Sequence, residues 1–206
     1  VSQRRSLASR LPGLVAIGVL LGAFTIACQP RTAPPADRRP ALIFDPSVGS
    51  DLQALASQTW DQFLDVFQAR ADCFGDVHVR AAYQLGNRGG YDPDTATVTV
   101  QVPGTPAKLQ SALIHEWAHH VEFQCPAHQE LRAAFLAAQG LPPDTPWRPA
   151  EPSVSLPADE WAEIPSEQYA EATIEVVVGR RPIPTTARVT REAVRVVEAW
   201  AAVQSK

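Results

Sequence analysis

The sequence predicts an α+β fold: a single domain with a small, mostly antiparallel sheet, a central helix bearing two histidines, and further helices towards the C-terminus. Residues 109–121 set Leu109, Ala112, Leu113 and Val121 towards a core and place His115 and His119 four positions apart, the spacing of one helical face. Residues 76–85 (DVHVRAAYQL) and 96–102 (ATVTVQV) alternate as strands do, and the second is rich in Val and Thr. Gly75 before them and Pro103-Gly104 after them mark their limits.

With 206 residues, 45% of them hydrophobic and 19% charged, the chain can form one sizeable core plus an N-terminal appendage. Residues 1–40 hold six Arg and one Asp, a net of +5. The whole chain carries −4, which leaves −9 on residues 41–206. An acidic folded part argues against nucleic acid as a partner.

The appendage reads as a targeting segment. Arg4, Arg5 and Arg10 precede an uncharged run over residues 11–27, which ends in Thr25-Ile26-Ala27 before Cys28. That ending resembles the lipobox of bacterial lipoproteins, with Thr25 where Leu is usual, and implies cleavage and lipidation at Cys28. Plain secretion and a single uncleaved anchor are the alternatives, since the run is just long enough to span. Residues 1–28 are therefore assigned to export, 29–40 to a Pro-rich tether, and 41–206 to the folded domain. The domain is expected on the outer side of the bacterial cell membrane or secreted, as a monomer, touching membrane only through this N-terminal segment. Cys73 and Cys125 remain as an even pair, most simply one disulfide in an exported protein.

Along the domain, residues 50–71 carry Leu52, Leu55, Trp60, Phe63, Leu64 and Phe67 at helical spacing, with Ser50 or Asp51 as N-cap. The stripe is a core face. Asn87-Arg88-Gly89-Gly90 supplies the turn of a hairpin between the two strands, and His78 is an ordinary strand residue. Pro103-Gly104-Thr105-Pro106 starts the histidine helix and Pro126 closes it. An Ala-rich helix over 128–139 stops at Gly140. Residues 141–158 are proline-rich and irregular, with Trp147 and, beyond them, Trp161 set either to pack the loop down or to line a cleft. A last helix over 187–203, with Val189, Ala193, Val194, Val197 and Trp200 in a stripe, lids the core.

His115-Glu116-Trp117-Ala118-His119 puts two imidazoles a turn apart on one face, able to hold a single zinc ion, with Glu116 beside the first. Zinc there would activate water, and Glu116 would take its proton as general base. His120 is rotated by about 100° from His119 and is expected at the surface or as a supporting group. A third ligand is needed. Glu167 and Glu171 lie four apart in a helix opening at Pro165, with Ser166 as its expected N-cap. One carboxylate can complete the zinc site while the other accepts the free N–H of a ligand histidine.

Here the chain resembles the gluzincins, metallopeptidases whose third zinc ligand is a Glu on a later helix. Glu167-Gln168-Tyr169-Ala170-Glu171 is similar to the Glu-x-x-x-Asp of thermolysin-like enzymes, and its flavour to the matching helix of anthrax lethal factor-like domains. The resemblance spans roughly residues 91–178, about one zincin core. It implies His115, His119 and Glu167 as zinc ligands, Glu116 as the catalytic base and Glu171 as support for a ligand histidine. Glu122, Glu130, Glu160, Glu163 and Glu171 are the rival third ligands. Metzincins are excluded, because Glu122 and Cys125 stand where that group has Gly and His, and the chain has no Met. The expected function is zinc-dependent hydrolysis of peptide or protein substrates; the alternative is a zinc-containing cell-surface binding module without turnover. No residue stands out as the donor to an oxyanion.

Overall fold

A computed structural model describes residues 39–149 and 157–203. The expected export segment, Cys28 included, and all but the last two residues of the expected tether lie outside the described residues. Among those described, no helix is long and apolar enough to cross a membrane.

The fold is α+β. β1 (Leu42–Phe44) leads into α1 (Ser50–Val66), a short 3-10 turn (Gln68–Arg70) and α2 (Ala71–Phe74). The single helix expected over 50–71 thus ends five residues early, and Gly49 rather than Ser50 or Asp51 caps it. Gly75, with φ of 71°, turns the chain into β2 (Val77–Ala82), a conformation that favours glycine. β3 (Gly89–Asp92) and β4 (Thr97–Gln101) complete the strands.

The sheet is mixed, in the order β1-β2-β4-β3, with β1–β2 and β2–β4 parallel and only β3–β4 antiparallel. This corrects the expectation of a mostly antiparallel sheet. The hairpin joins β3 to β4 rather than 76–85 to 96–102, and Gly89-Gly90 pairs inside β3 instead of forming the turn. The turn lies at Pro93-Asp94-Thr95-Ala96, between the paired Asp92 and Thr97. There Asp92 accepts the Asp94 backbone N–H at 3.0 Å and the Thr95 hydroxyl at 2.8 Å, the local bonding that makes Asp and Pro turn formers.

Val77, Val79, Val98 and Val100 point inwards and are fully buried, while His78 is exposed on the other face, in the period-2 pattern of a one-sided sheet. The buried face meets α3 (Pro106–Gln124), which also packs on α1 and on α6 (Pro165–Val178). Between α1 and α3 lies an aromatic cluster. Trp60 meets Trp117 edge-on at 4.9 Å and Phe63 stacks on Phe67 at 4.5 Å; such pairs contribute about 0.5–1.5 kcal/mol each beyond burial.

α4 (His128–Gln139), stopped by Gly140 as expected, α5 (Ala158–Ala162) and α7 (Arg191–Ala201) finish the chain. α7 starts at Arg191 because the Thr190 hydroxyl accepts the Ala193 N–H at 3.0 Å, and it buries Ala193, Val197 and Trp200 as a lid. Cys73 and Cys125 form the expected disulfide, tying α2 to the end of α3.

Candidate metal centre

Thr105 opens α3 by accepting the Lys108 N–H, and Pro106 takes the first helical position, where its missing N–H is harmless. Every residue from Ser111 to Glu122 is buried. A helix enclosed on all sides must satisfy its polar side chains through protein partners or a ligand. Within that stretch the burial of His115, Glu116, His119, His120 and Glu122 therefore needs explaining one residue at a time.

His115, His119 and Glu167 converge. The two Nε2 atoms stand 3.2 Å apart, and Glu167 Oε2 lies 3.0 Å from the first and 3.4 Å from the second. Three donors at about 2.0–2.1 Å from one tetrahedral ion stand about 3.3 Å from each other, so the triangle fits a zinc-sized cation. Glu167 is carried there by α6, whose first turn is set by Pro165 following Ile164; Ser166, expected as the cap, is buried with no hydrogen bond from its hydroxyl.

Each histidine is held from behind. His115 Nδ1 lies 2.9 Å from Glu171 Oε1, and His119 Nδ1 lies 3.1 Å from Glu122 Oε2. Arg88 Nη2 and Arg148 Nη2 also approach these nitrogens, at 2.9 and 2.8 Å, but a guanidinium only donates. Among the described residues the carboxylates are thus the acceptors for the Nδ1 protons, which turns both Nε2 atoms inwards towards Glu167. Glu171, fully buried, also takes donors from Arg88 and Arg181. Glu122 accepts Trp147 Nε1–H at 2.8 Å and Arg148 through Nε at 2.7 Å and Nη2 at 2.6 Å.

The electrostatics follow. Burial opposes charge on Glu122 and Glu167, but His119 and Arg148 hold the first, and the two histidines the second, well below the usual carboxylate range. Burial also opposes a charge on His119, yet Glu167 and Glu122 push it up to about 10, whereas burial keeps His115 below its ordinary value. Two imidazoles this close cannot both be charged; the carboxylates favour one positive centre among the three donors.

Glu116 lies against β3. A Cβ built on Gly89 would come within 2.8 Å of its Oε1, so glycine is what lets the strand approach the carboxylate. Trp161, on α5, stacks on the His115 ring at 5.8 Å, whereas Trp147 packs inwards against Phe135 and His128.

Of the sequence-predicted residues, the structure groups His115, His119 and Glu167, sets Glu171 behind His115 and lays Glu116 against β3. Of the rival ligands, Glu122 and Glu171 support histidines, and Glu130, Glu160 and Glu163 are exposed. His120 departs from expectation: it is fully buried, with Nε2 at 3.2 Å from the Gly75 carbonyl and Nδ1 at 3.0 Å from the Tyr91 hydroxyl, a fastening between α3 and the sheet. Sequence reasoning missed the roles of Glu122, Arg88, Arg148 and Arg181. Only Glu122 carried a signal, standing three residues from His119 on the same helical face. Comparison with protein-family models, curated proteins and solved structures found no match.

Proposed function

We propose that the protein is an exported, zinc-dependent hydrolase of peptide bonds. The observation that carries this reading is the 3.0–3.4 Å triangle of His115 Nε2, His119 Nε2 and Glu167 Oε2, with each imidazole anchored at Nδ1 by a carboxylate. Zinc held there would polarise the scissile carbonyl and lower the pKa of a water towards about 7. Glu116 accepts the proton of the attacking water as the C–O bond forms and delivers it to the amine nitrogen as the C–N bond breaks. β3 is one of the two edge strands and touches Glu116 at Gly89, so an extended peptide pairing with the edge left open among the described residues passes the reacting centre. The outlying positive charge of residues 1–40, the apolar run to Cys28 and the disulfide agree with an exported, lipid-anchored chain.

The test is zinc content and hydrolysis of a mixed peptide library by wild type, Glu167→Ala and Glu116→Gln. One zinc per chain, weakened in the first variant and kept in the second while hydrolysis disappears, is the expected result. A folded wild type that takes up no zinc overturns the reading. Zinc uptake without hydrolysis by the wild type leaves a binding module instead.

A further inference from the structure

Resting on the peptidase reading, we propose that Arg148 is a further catalytic residue, whose Nη1 donates to the carbonyl oxygen as it becomes an oxyanion. Attack of water on a planar carbonyl moves an electron pair onto that oxygen, and a donor fixed in advance in a water-poor site is the strongest aid a side chain can give. Four other donors lie on or near α3 and α6. Tyr169 is fully buried, its ring packed against His128 and Phe135, out of a substrate's reach. The Tyr91 hydroxyl is engaged by His120 and Gln124. Arg181 is tied to Glu171 and the Ala187 carbonyl. Arg88 directly precedes Gly89, which lies against Glu116. Arg88 Nη2 is held by Glu171, which anchors His115 from behind.

Three features point to Arg148. Its Nε and Nη2 grip the two oxygens of Glu122 at 2.7 and 2.6 Å, so the plane of the guanidinium is fixed side-on. The third nitrogen, Nη1, makes no hydrogen bond among the described residues and lies 3.9 Å from Oε1 of Glu167, the ligand whose Oε2 joins the triangle. The side chain is 33% exposed and rests over the Phe123 ring at 4.7 Å, so it stands where substrate can reach it while packing holds it in place. A cation locked on two corners, open on the third and adjacent to the metal donors is built to receive an anionic oxygen.

The test loads the full chain with cobalt(II), whose visible spectrum reports ligand binding, and titrates two probes: inorganic phosphate, a tetrahedral anion, and imidazole, a neutral metal ligand. Arg148→Ala is expected to weaken phosphate about 10- to 100-fold, the loss of one charged hydrogen bond, and imidazole by less than about threefold. Arg148→Lys restores part of the phosphate affinity. Glu122→Gln is expected to weaken cobalt retention and, by loosening the grip on Arg148, to weaken phosphate more than imidazole. Equal weakening of both probes by Arg148→Ala would show a merely structural residue and overturn the proposal. So would a loss of phosphate selectivity in Arg88→Ala with none in Arg148→Ala. A wild type that binds no cobalt overturns the peptidase reading itself, a distinguishable result.

Discussion

Gly89 and Glu116 are in direct contact across two elements, the strand backbone lying where any β-carbon would meet Glu116 Oε1 at 2.8 Å and Cγ at 3.0 Å. The obstructing atoms belong to a side chain that can swing, so Gly89→Ala should fold. Its cost falls on the position of the carboxylate instead. Displacing a general base by an ångström lowers turnover by up to about 100-fold. Gly89→Ala is therefore expected to keep its zinc and lose about 10- to 100-fold in peptide hydrolysis, checked by metal analysis beside a turnover assay.

Glu122 and Glu171 anchor His119 and His115 from behind at similar distances, 3.1 and 2.9 Å. Replacing either should lower zinc affinity by about 10- to 100-fold, the usual effect of losing a histidine's supporting carboxylate. Stability separates them by degree: Glu122 is the counter-charge of Arg148 alone and Glu171 of both Arg88 and Arg181, so Glu171→Ala leaves two guanidinium charges uncompensated and is the costlier, at about 3–5 kcal/mol. Chelator competition gives the affinities and urea denaturation the stability. Glu122→Gln with wild-type zinc affinity would remove Glu122 from the site.

The legible part of this site is the part built by helical spacing. His115, Glu116 and His119 share one helix and Glu167 and Glu171 another, so i to i+4 geometry presents each set together before any tertiary contact is known. Glu122 obeys the same rule but looks like a surface acid until Trp147 and Arg148 are seen to bury it. The arginines have no local signature. Arg88 comes from the loop ahead of β3, Arg148 from the proline-rich segment and Arg181 from beyond α6, and only the fold unites them. The sheet was misread for a related reason. Gly89-Gly90 is a turn signal by composition, whereas here the absence of a side chain serves a close approach to Glu116.

The Cys73–Cys125 bridge closes a loop of 52 residues that contains the whole sheet after β1 and all of α3. In the chain-entropy account a loop of that length is worth about 4 kcal/mol. Reduction, or Cys73→Ser with Cys125→Ser, should lower the melting temperature by about 10 °C at 2–4 °C per kcal/mol. Calorimetry with and without reductant measures it. Because α3 carries both histidines of the proposed zinc site, zinc-loaded protein should show a smaller drop than the apo form.

His128, on α4, is fully enclosed by Trp147, Tyr169 and Trp200, and neither ring nitrogen has a hydrogen-bond partner. Burial pushes its pKa down to about 3, so the folded protein holds it neutral. In the unfolded chain it protonates near the ordinary value of about 6.5. The unfolded state then binds the extra proton throughout the window between these values. Stability is complete above about pH 6.5 and falls as pH drops towards 3, by about 2 kcal/mol between pH 7 and pH 5 for this one group. His120, pushed down to about 4 by its own burial, adds a loss of the same sign. Urea midpoints of wild type and His128→Phe at pH 7 and pH 5 isolate the His128 share: the variant should lose about 2 kcal/mol less than wild type over that interval. Parallel losses in both proteins would mean that His128 does not set the acid limit of the fold.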